Sequence, residues 1–182
     1  FNSQIEDLDL DQNNSIDVCG FTTEHGMEIG LADAVEAGRF NNPAYLAKIA
    51  CSGTKIDQWD QIPSAGSGQP SWTELRRKMD VMIAGMAARG INNPNIVVWM
   101  SIGLNDALQG TTPDSFAARI NRFKTDFRNV YGANIQFHMT QFHRYRPDFG
   151  ETSPSGNGHP YNAIIDAIDA ADPLTFIVET TD

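Results

Sequence analysis

From about residue 22 onward, short apolar runs alternate with amphipathic stretches, and that alternation constrains the fold more than any other feature of the 182-residue chain. Strands that recur between helical patterns point to a parallel sheet, because parallel neighbours need a crossover of a dozen or more residues and a helix supplies it. The expected class is α/β. With 41% hydrophobic and 20% charged residues the chain has enough apolar material for one core and is not of disordered composition. A single domain over residues 1–182 is the expectation.

Local signals place the elements. A first helix is expected over Met27 to Ala37, with Thr22 or Thr23 near its start and Gly38 behind it. Tyr45 to Cys51 reads as a strand. Ser71-Trp72-Thr73-Glu74 has the spacing of a capping box, opening a helix whose Leu75, Met79, Met82, Ile83 and Met86 share one face and which ends at Gly90. A methionine row at helical spacing reads as core packing. Asn95 to Ser101 is so continuously apolar that it reads as a central strand buried on both faces. Thr112-Pro113 is a cap followed by proline at the first helical position, and Phe116, Ile120, Phe123, Phe127 and Val130 continue a stripe to Gly132. Asn134 to Thr140 is the next strand, Gln141 to Gly158 a long Pro/Gly/Ser-rich loop, Pro160 to Ala171 a helix and Leu174 to Glu179 a last strand.

Charge and cysteine content narrow the partners. The 23 acids against 13 Lys+Arg give a net charge of −10, which disfavours nucleic acid and anionic membrane surfaces. No apolar run approaches the roughly 18 residues that would span a bilayer, and Phe1 to Leu10 lacks the layout of a signal peptide. A chain that begins without Met reads as a processed or trimmed product. Cys19 and Cys51 allow one bridge or two buried free thiols, and no four-ligand metal set. No cofactor and no metal are expected. The four histidines, His25, His138, His143 and His159, form no ligand pattern, since His138 and His143 on one continuous strand would point to opposite faces.

In an open parallel sheet, ligands bind beyond the carboxyl ends of the strands. Two segments there stand out. Ser52-Gly53-Thr54-Lys55-Ile56-Asp57-Gln58-Trp59 follows the first expected strand, and Ile102-Gly103-Leu104-Asn105-Asp106-Ala107 follows the central one. The first offers a glycine amide and the second an Asn side-chain amide on one rim, and two convergent neutral donors suit an oxyanion.

Gly103-Leu104-Asn105-Asp106 resembles the G-x-N-D block of the SGNH, or GDSL-like, hydrolase superfamily. Ala50-Cys51-Ser52-Gly53-Thr54, with Ile56 and Trp59, resembles the glycine block of its carbohydrate O-acetylesterase branch, which includes sialate O-acetylesterases and acetyl xylan esterases. Gly20-Phe21 to Ala32, with Glu24, Gly26 and Leu31, is similar to the stretch that leads into the helix before that block. The resemblance implies a three-layer α/β/α, flavodoxin-like fold and metal-free ester hydrolysis by a serine, with a histidine held by an aspartate as base. It places Gly53 and Asn105 at the oxyanion positions and makes Asp106 the orienter of the Asn105 loop. The substrate it implies is an acetylated carbohydrate or other small ester.

The family's G-D-S nucleophile block and its D-x-x-H block have no counterpart in the chain. Three readings follow. The chain is a central piece of a longer protein; or a diverged, non-catalytic carbohydrate-binding or virion tail module; or a complete enzyme in which Gly20-Phe21-Thr22-Thr23 replaces G-D-S and Thr22 stands at the nucleophile position. His143, just past a strand end, reads either as the base or as a loop histidine with no catalytic role. Arg144 and Arg146 read either as recognising a sugar carboxylate or as a pair of solvated arginines. Trp59 reads either as a platform for a sugar ring or as a pin for its own loop. By family habit the expected location is extracytoplasmic: secreted or virion-associated. The oligomeric state has no signal in the sequence.

Overall fold

The computed structural model describes residues 53–61, 71–141 and 159–178, together with residues 34, 37–39, 45–47 and 49. The chain divides into two compact units, Phe1–Ser52 with Ser71–Pro94, and Gly53–Pro70 with Asn95–Asp182. Among the described residues the architecture is mixed α/β, with four helices and a parallel three-stranded sheet.

In the first unit, helix α1 (Ser71–Ala88) buries Trp72, Leu75, Met79 and Met86 on one face. It closes through a Schellman motif, in which the Ile91 amide donates to the Met86 carbonyl at 3.0 Å past a left-handed Gly90. Its start differs from the expected capping box. Ser71 is itself the first helical residue, so its hydroxyl does not sit ahead of the helix where it would accept an orphan amide. That hydroxyl is buried with no hydrogen-bond partner among the described residues, and Glu74 pairs instead with Arg77 at 2.9 Å. Of the helix expected over Met27 to Ala37, the described residues show the end: Ala34 is helical, and its carbonyl accepts the Arg39 amide at 3.0 Å beyond Gly38. Of the strand expected at Tyr45 to Cys51, the described residues Tyr45, Leu46, Ala47 and Ile49 lie in no strand, and Lys48, Ala50 and Cys51 lie outside the described residues.

The second unit holds the sheet. Strands β1 (Val97–Met100), β2 (Gln136–Thr140) and β3 (Thr175–Val178) pair in parallel in the order β1-β2-β3, with Trp99 opposite His138 and His138 opposite Phe176. Helices α2 (Leu104–Leu108) and α3 (Pro113–Tyr131) connect β1 to β2, and α4 (His159–Ala171) lies between β2 and β3. Thr112 caps α3, accepting the Ser115 amide at 3.3 Å, and Pro113 at the first position loses no hydrogen bond.

Side-chain periodicity decides which faces are buried. Phe116, Ile120, Phe123 and Phe127 of α3 and Tyr161, Ile165 and Ile168 of α4 recur every three to four residues, and all seven are buried. They cover the sheet face that carries Phe137 and Met139. Phe137 receives Phe123 and Phe127 edge-on at centroid distances of 6.4 and 5.9 Å. The stripe expected to reach Val130 ends at Phe127: Val130 is exposed, and Tyr131 packs on the Phe127 ring at 4.7 Å.

The other sheet face carries Val97, Trp99, His138 and Phe176. Trp99 is 47% and Phe176 38% exposed, with the His138 ring between them at 6.3 and 5.1 Å. Strand β1, expected at the centre and buried on both faces, stands at the edge of the described sheet with Val97 and Trp99 exposed. An apolar run tells that both faces are apolar; it does not tell whether anything packs on each.

A polar clasp closes the amino ends of β2 and β3. Arg128 donates to the carbonyls of Ile135 and Leu174, the residues just before the two strands, and to Asp172 at 2.7 Å. Lys124, on the buried face of α3, reaches the same carboxylate at 2.6 Å, and the Leu174 amide and Thr175 hydroxyl complete its shell at 3.0 and 2.8 Å. Burial by itself would raise the Asp172 pKa. The hydrogen bonds from Arg128, Lys124, Leu174 and Thr175 outweigh it and hold the carboxyl well below the ordinary range.

Candidate functional site

The two rim segments meet through one buried side chain. After β1 the chain turns at Gly103, whose φ of 115° is a conformation that L side chains rarely adopt, and enters the single-turn helix α2. Asn105 and Asp106 are the second and third residues of that turn. The Asp106 carboxylate is 1% exposed, and its Oδ2 accepts the Ile56 amide at 2.9 Å, a contact across 50 residues of sequence. Asn105, half-buried on its rim, thus stands one residue from a group that grips the Gly53–Trp59 segment.

That segment is tightened from within. Ile56–Trp59 forms one 3₁₀ turn, opened by the Lys55 amide donating to the Gln58 side chain at 2.8 Å. Ile56 is fully buried. Trp59 is 8% exposed, and its indole N–H donates to the Thr54 hydroxyl at 3.1 Å. Of the two roles considered for Trp59, this is the geometry of the loop pin. Gly53 opens the segment at φ 77°, where an added Cβ would meet nothing within 4 Å; the constraint there is backbone conformation, not space. Beyond the turn, fully buried Asp60 receives Arg119 at 3.3 Å and Arg122, fastening the segment to α3, while Asp57 and Lys55 pair at 3.8 Å.

The electrostatics of Asp106 are unlike those of Asp60 and Asp172, which sit beside arginines. Burial pushes its pKa up, opposed by the hydrogen bonds from the Ile56 amide and Thr111 and reinforced by the charge of Asp57. Its Oδ1 is buried with no hydrogen-bond partner among the described residues. On the far side of α2, the Thr111 amide donates to the Asp106 carbonyl at 2.9 Å, and the Tyr161 hydroxyl of α4 donates to the Thr111 carbonyl. The Tyr161 pKa is pushed up to about 12, first by burial and then by the nearby Asp106 charge, so this phenol stays a donor at neutral pH.

Gly53, Asn105, Asp106 and Trp59 therefore belong to one fastened assembly. Thr22, His143, Arg144 and Arg146 lie outside the described residues, as do His25, Cys19 and Cys51. His138 sits on the middle strand between Trp99 and Phe176, away from the strand ends. Among the described residues no group of three or more His, Cys, Asp or Glu is placed to hold a metal, and no helix is long and apolar enough to cross a membrane.

Compared with known proteins, the chain matches no family model, no curated protein and no solved structure.

Sequence reasoning named Asp106 from a motif and missed its partner, because a backbone amide leaves no residue-type signal. Tyr161 and the Arg119–Arg122 pair on Asp60 were missed too. For Lys124 a signal existed: it lies four residues after Ile120, on the apolar stripe, and a lysine there must find a buried acid.

Proposed function

We propose that the chain is an SGNH-type domain of three-layer α/β/α build that hydrolyses O-acetyl esters of carbohydrates, with the Gly53 amide and the Asn105 side chain as oxyanion donors. One observation carries the reading: the Asp106–Ile56 hydrogen bond, which fastens the glycine segment to the Asn105 turn. Gly53 lies three residues from the held amide, a reach of about 10 Å at most. Neutral donors held in place are what the transition state of acyl transfer needs, since they stabilise the developing oxyanion without reorganising at the moment of reaction; Gly53 is exposed and Asn105 half-buried on the rim. The parallel sheet supports the reading in the same sense, because its carboxyl ends are where such rims form. Candidates for the remaining roles stay as the sequence placed them: Thr22 for the nucleophile, His143 for the base, Arg144 and Arg146 for a sugar carboxylate. The compartment that fits the substrate is extracytoplasmic.

The test is acetate release from an acetylated glycan by the purified protein and by Asn105→Ala. Loss of one oxyanion donor should lower the rate by about 100- to 1000-fold. Equal rates in the two proteins, or no acetate release from either, would count against the proposal.

A second reading, a non-catalytic carbohydrate-binding module, has the exposed Trp99–His138–Phe176 row in its favour, because sugar rings stack on exposed aromatic faces. Glycan binding that is lost in Trp99→Ala, without acetate release by the parent protein, would select it.

A further inference from the structure

We infer that the open face of the sheet is a second site, separate from the rim, and that its ligand is a neutral chain of β-linked pyranose sugars. This deepens the binding reading of the Trp99–His138–Phe176 row, rests on that reading alone, and is independent of ester hydrolysis.

Side chains alternate across a strand, so Val97 and Trp99 of β1, Gln136, His138 and Thr140 of β2, and Phe176 and Val178 of β3 stand on this one face. Val97, Trp99 and Phe176 are exposed on it. Register sets Trp99, His138 and Phe176 in line across the three strands, a row about 10 Å long at the usual strand spacing, with room for about two sugar rings. Trp99 is fixed in place. Its indole N–H donates to the Thr140 hydroxyl at 2.8 Å, so what the exposed ring has left to offer is carbon.

Two features choose among the molecules that could cover such a face. The first is its polar middle strand, where Gln136, His138 and Thr140 are half-buried between the apolar residues on either side. An acyl chain or the apolar side of a helix would take their remaining donors and acceptors out of water unpaired, which costs free energy. Sugar hydroxyls would pair with them while the C–H faces of the sugar lie on Trp99 and Phe176. The second feature is charge. None of these face residues is Asp, Glu, Lys or Arg, and the chain carries a net −10. An acidic polymer would be repelled, and a basic one would find no carboxylate on the face to pair with. A neutral sugar meets both conditions, and β-linkage makes its chain extended and flat, so that successive rings follow a straight row.

Isothermal titration of the full chain with xylohexaose and with a galacturonate hexamer tests the inference, using Trp99→Ala, Trp99→Phe and Phe176→Ala. The parent should bind the acidic hexamer roughly 10-fold more weakly than the neutral one. Trp99→Ala should weaken xylohexaose binding by about 10-fold, the worth of one aromatic stacking contact; Phe176→Ala should lose less, and Trp99→Phe, which keeps a ring, only a few-fold. Acrylamide quenching reads the same site without any substitution, because Trp99 is 47% exposed whereas Trp59 and Trp72 are 8% and 6% exposed. Xylohexaose should protect the quenchable tryptophan. Equal affinity for the two hexamers, parent-like affinity in Trp99→Ala, or no protection from acrylamide would overturn the inference while leaving glycan binding standing. No binding of either hexamer by the parent overturns both. A parent dimer that Trp99→Ala dissociates would assign the face to a second copy of the chain and overturn the inference as well. Neither hexamer carries an ester, so no outcome depends on acetate release.

Discussion

Two carboxylates at opposite ends of the same sheet are treated in opposite ways. Asp172, at the amino ends of β2 and β3, accepts from Arg128, Lys124, the Leu174 amide and the Thr175 hydroxyl, and its pKa is held down. Asp106, beyond the carboxyl end of β1, is held by the Ile56 amide and by Thr111, has no partner on Oδ1 among the described residues, and has a pKa pushed up by burial. A saturated carboxylate locks its surroundings and has no capacity left for chemistry. An oxygen left without a partner, as at Asp106 and also at Asp57 and Asp60 among the described residues, is a cost that the rest of the fold carries.

Removing Asp172 should have the largest effect. Asp172→Ala leaves Lys124 and Arg128 without their shared counter-charge, and breaking a buried pair in this way costs about 3–5 kcal/mol. Urea unfolding should show it as a lower midpoint with an unchanged slope. A loss below about 1 kcal/mol would mean that the clasp is a surface ion pair and that the contrast with Asp106 is empty.

Next comes Asp106→Ala. It strands the Ile56 amide in the core, at about 1–3 kcal/mol, whereas Asp106→Asn should be neutral or slightly stabilising at pH 7. Equal destabilisation by the two substitutions would show that charge, not an acceptor, is what position 106 supplies.

The pH dependence sharpens the same contrast. Asp172 has a folded pKa below its unfolded value, so its stabilisation is complete above about pH 4, the usual range of an unfolded Asp, and is lost as pH falls through the folded value. Asp106 has the opposite sign: its favourable contribution is complete below about pH 4 and is lost as pH rises through its raised folded value. Stability measured from pH 3 to pH 7 should therefore rise less steeply in Asp172→Asn than in the parent and more steeply in Asp106→Asn. Parallel curves would contradict both assignments.

The smallest expected effect is at the Thr112 cap. Thr112→Ala should cost about 1 kcal/mol, the usual value for a helix N-cap, with no change at either carboxylate. A larger loss would mean that α3 also orders the Asp60 pairing.

What the sequence made legible follows the range over which each signal acts. Helix α3 was readable to its first residue, because Thr112, Pro113 and an apolar period of three to four residues are local. Helix α4 and strands β2 and β3 came within two residues of expectation for the same reason. The start of α1 was misread because S-x-x-E fixes a spacing and not which residue is the first helical one. The position of β1 at the edge of the described sheet was beyond sequence reasoning, since it depends on what lies beside a strand and not on the strand. At the site, Asn105 and Asp106 announced themselves by residue type; the bond from Asp106 to the Ile56 amide, on which their arrangement depends, is made by a main-chain group that every residue but proline carries.

Whether the rim serves ester hydrolysis, as proposed, is tested most directly by intact-mass spectrometry of the purified protein before and after a fluorophosphonate, a reagent for activated hydroxyl nucleophiles. The expected result is a single covalent adduct that forms more slowly in Asn105→Ala, because the phosphonyl oxygen occupies the same donors as the oxyanion of the reaction. No adduct on the parent protein, or an adduct that forms at the same rate in Asn105→Ala, would contradict it.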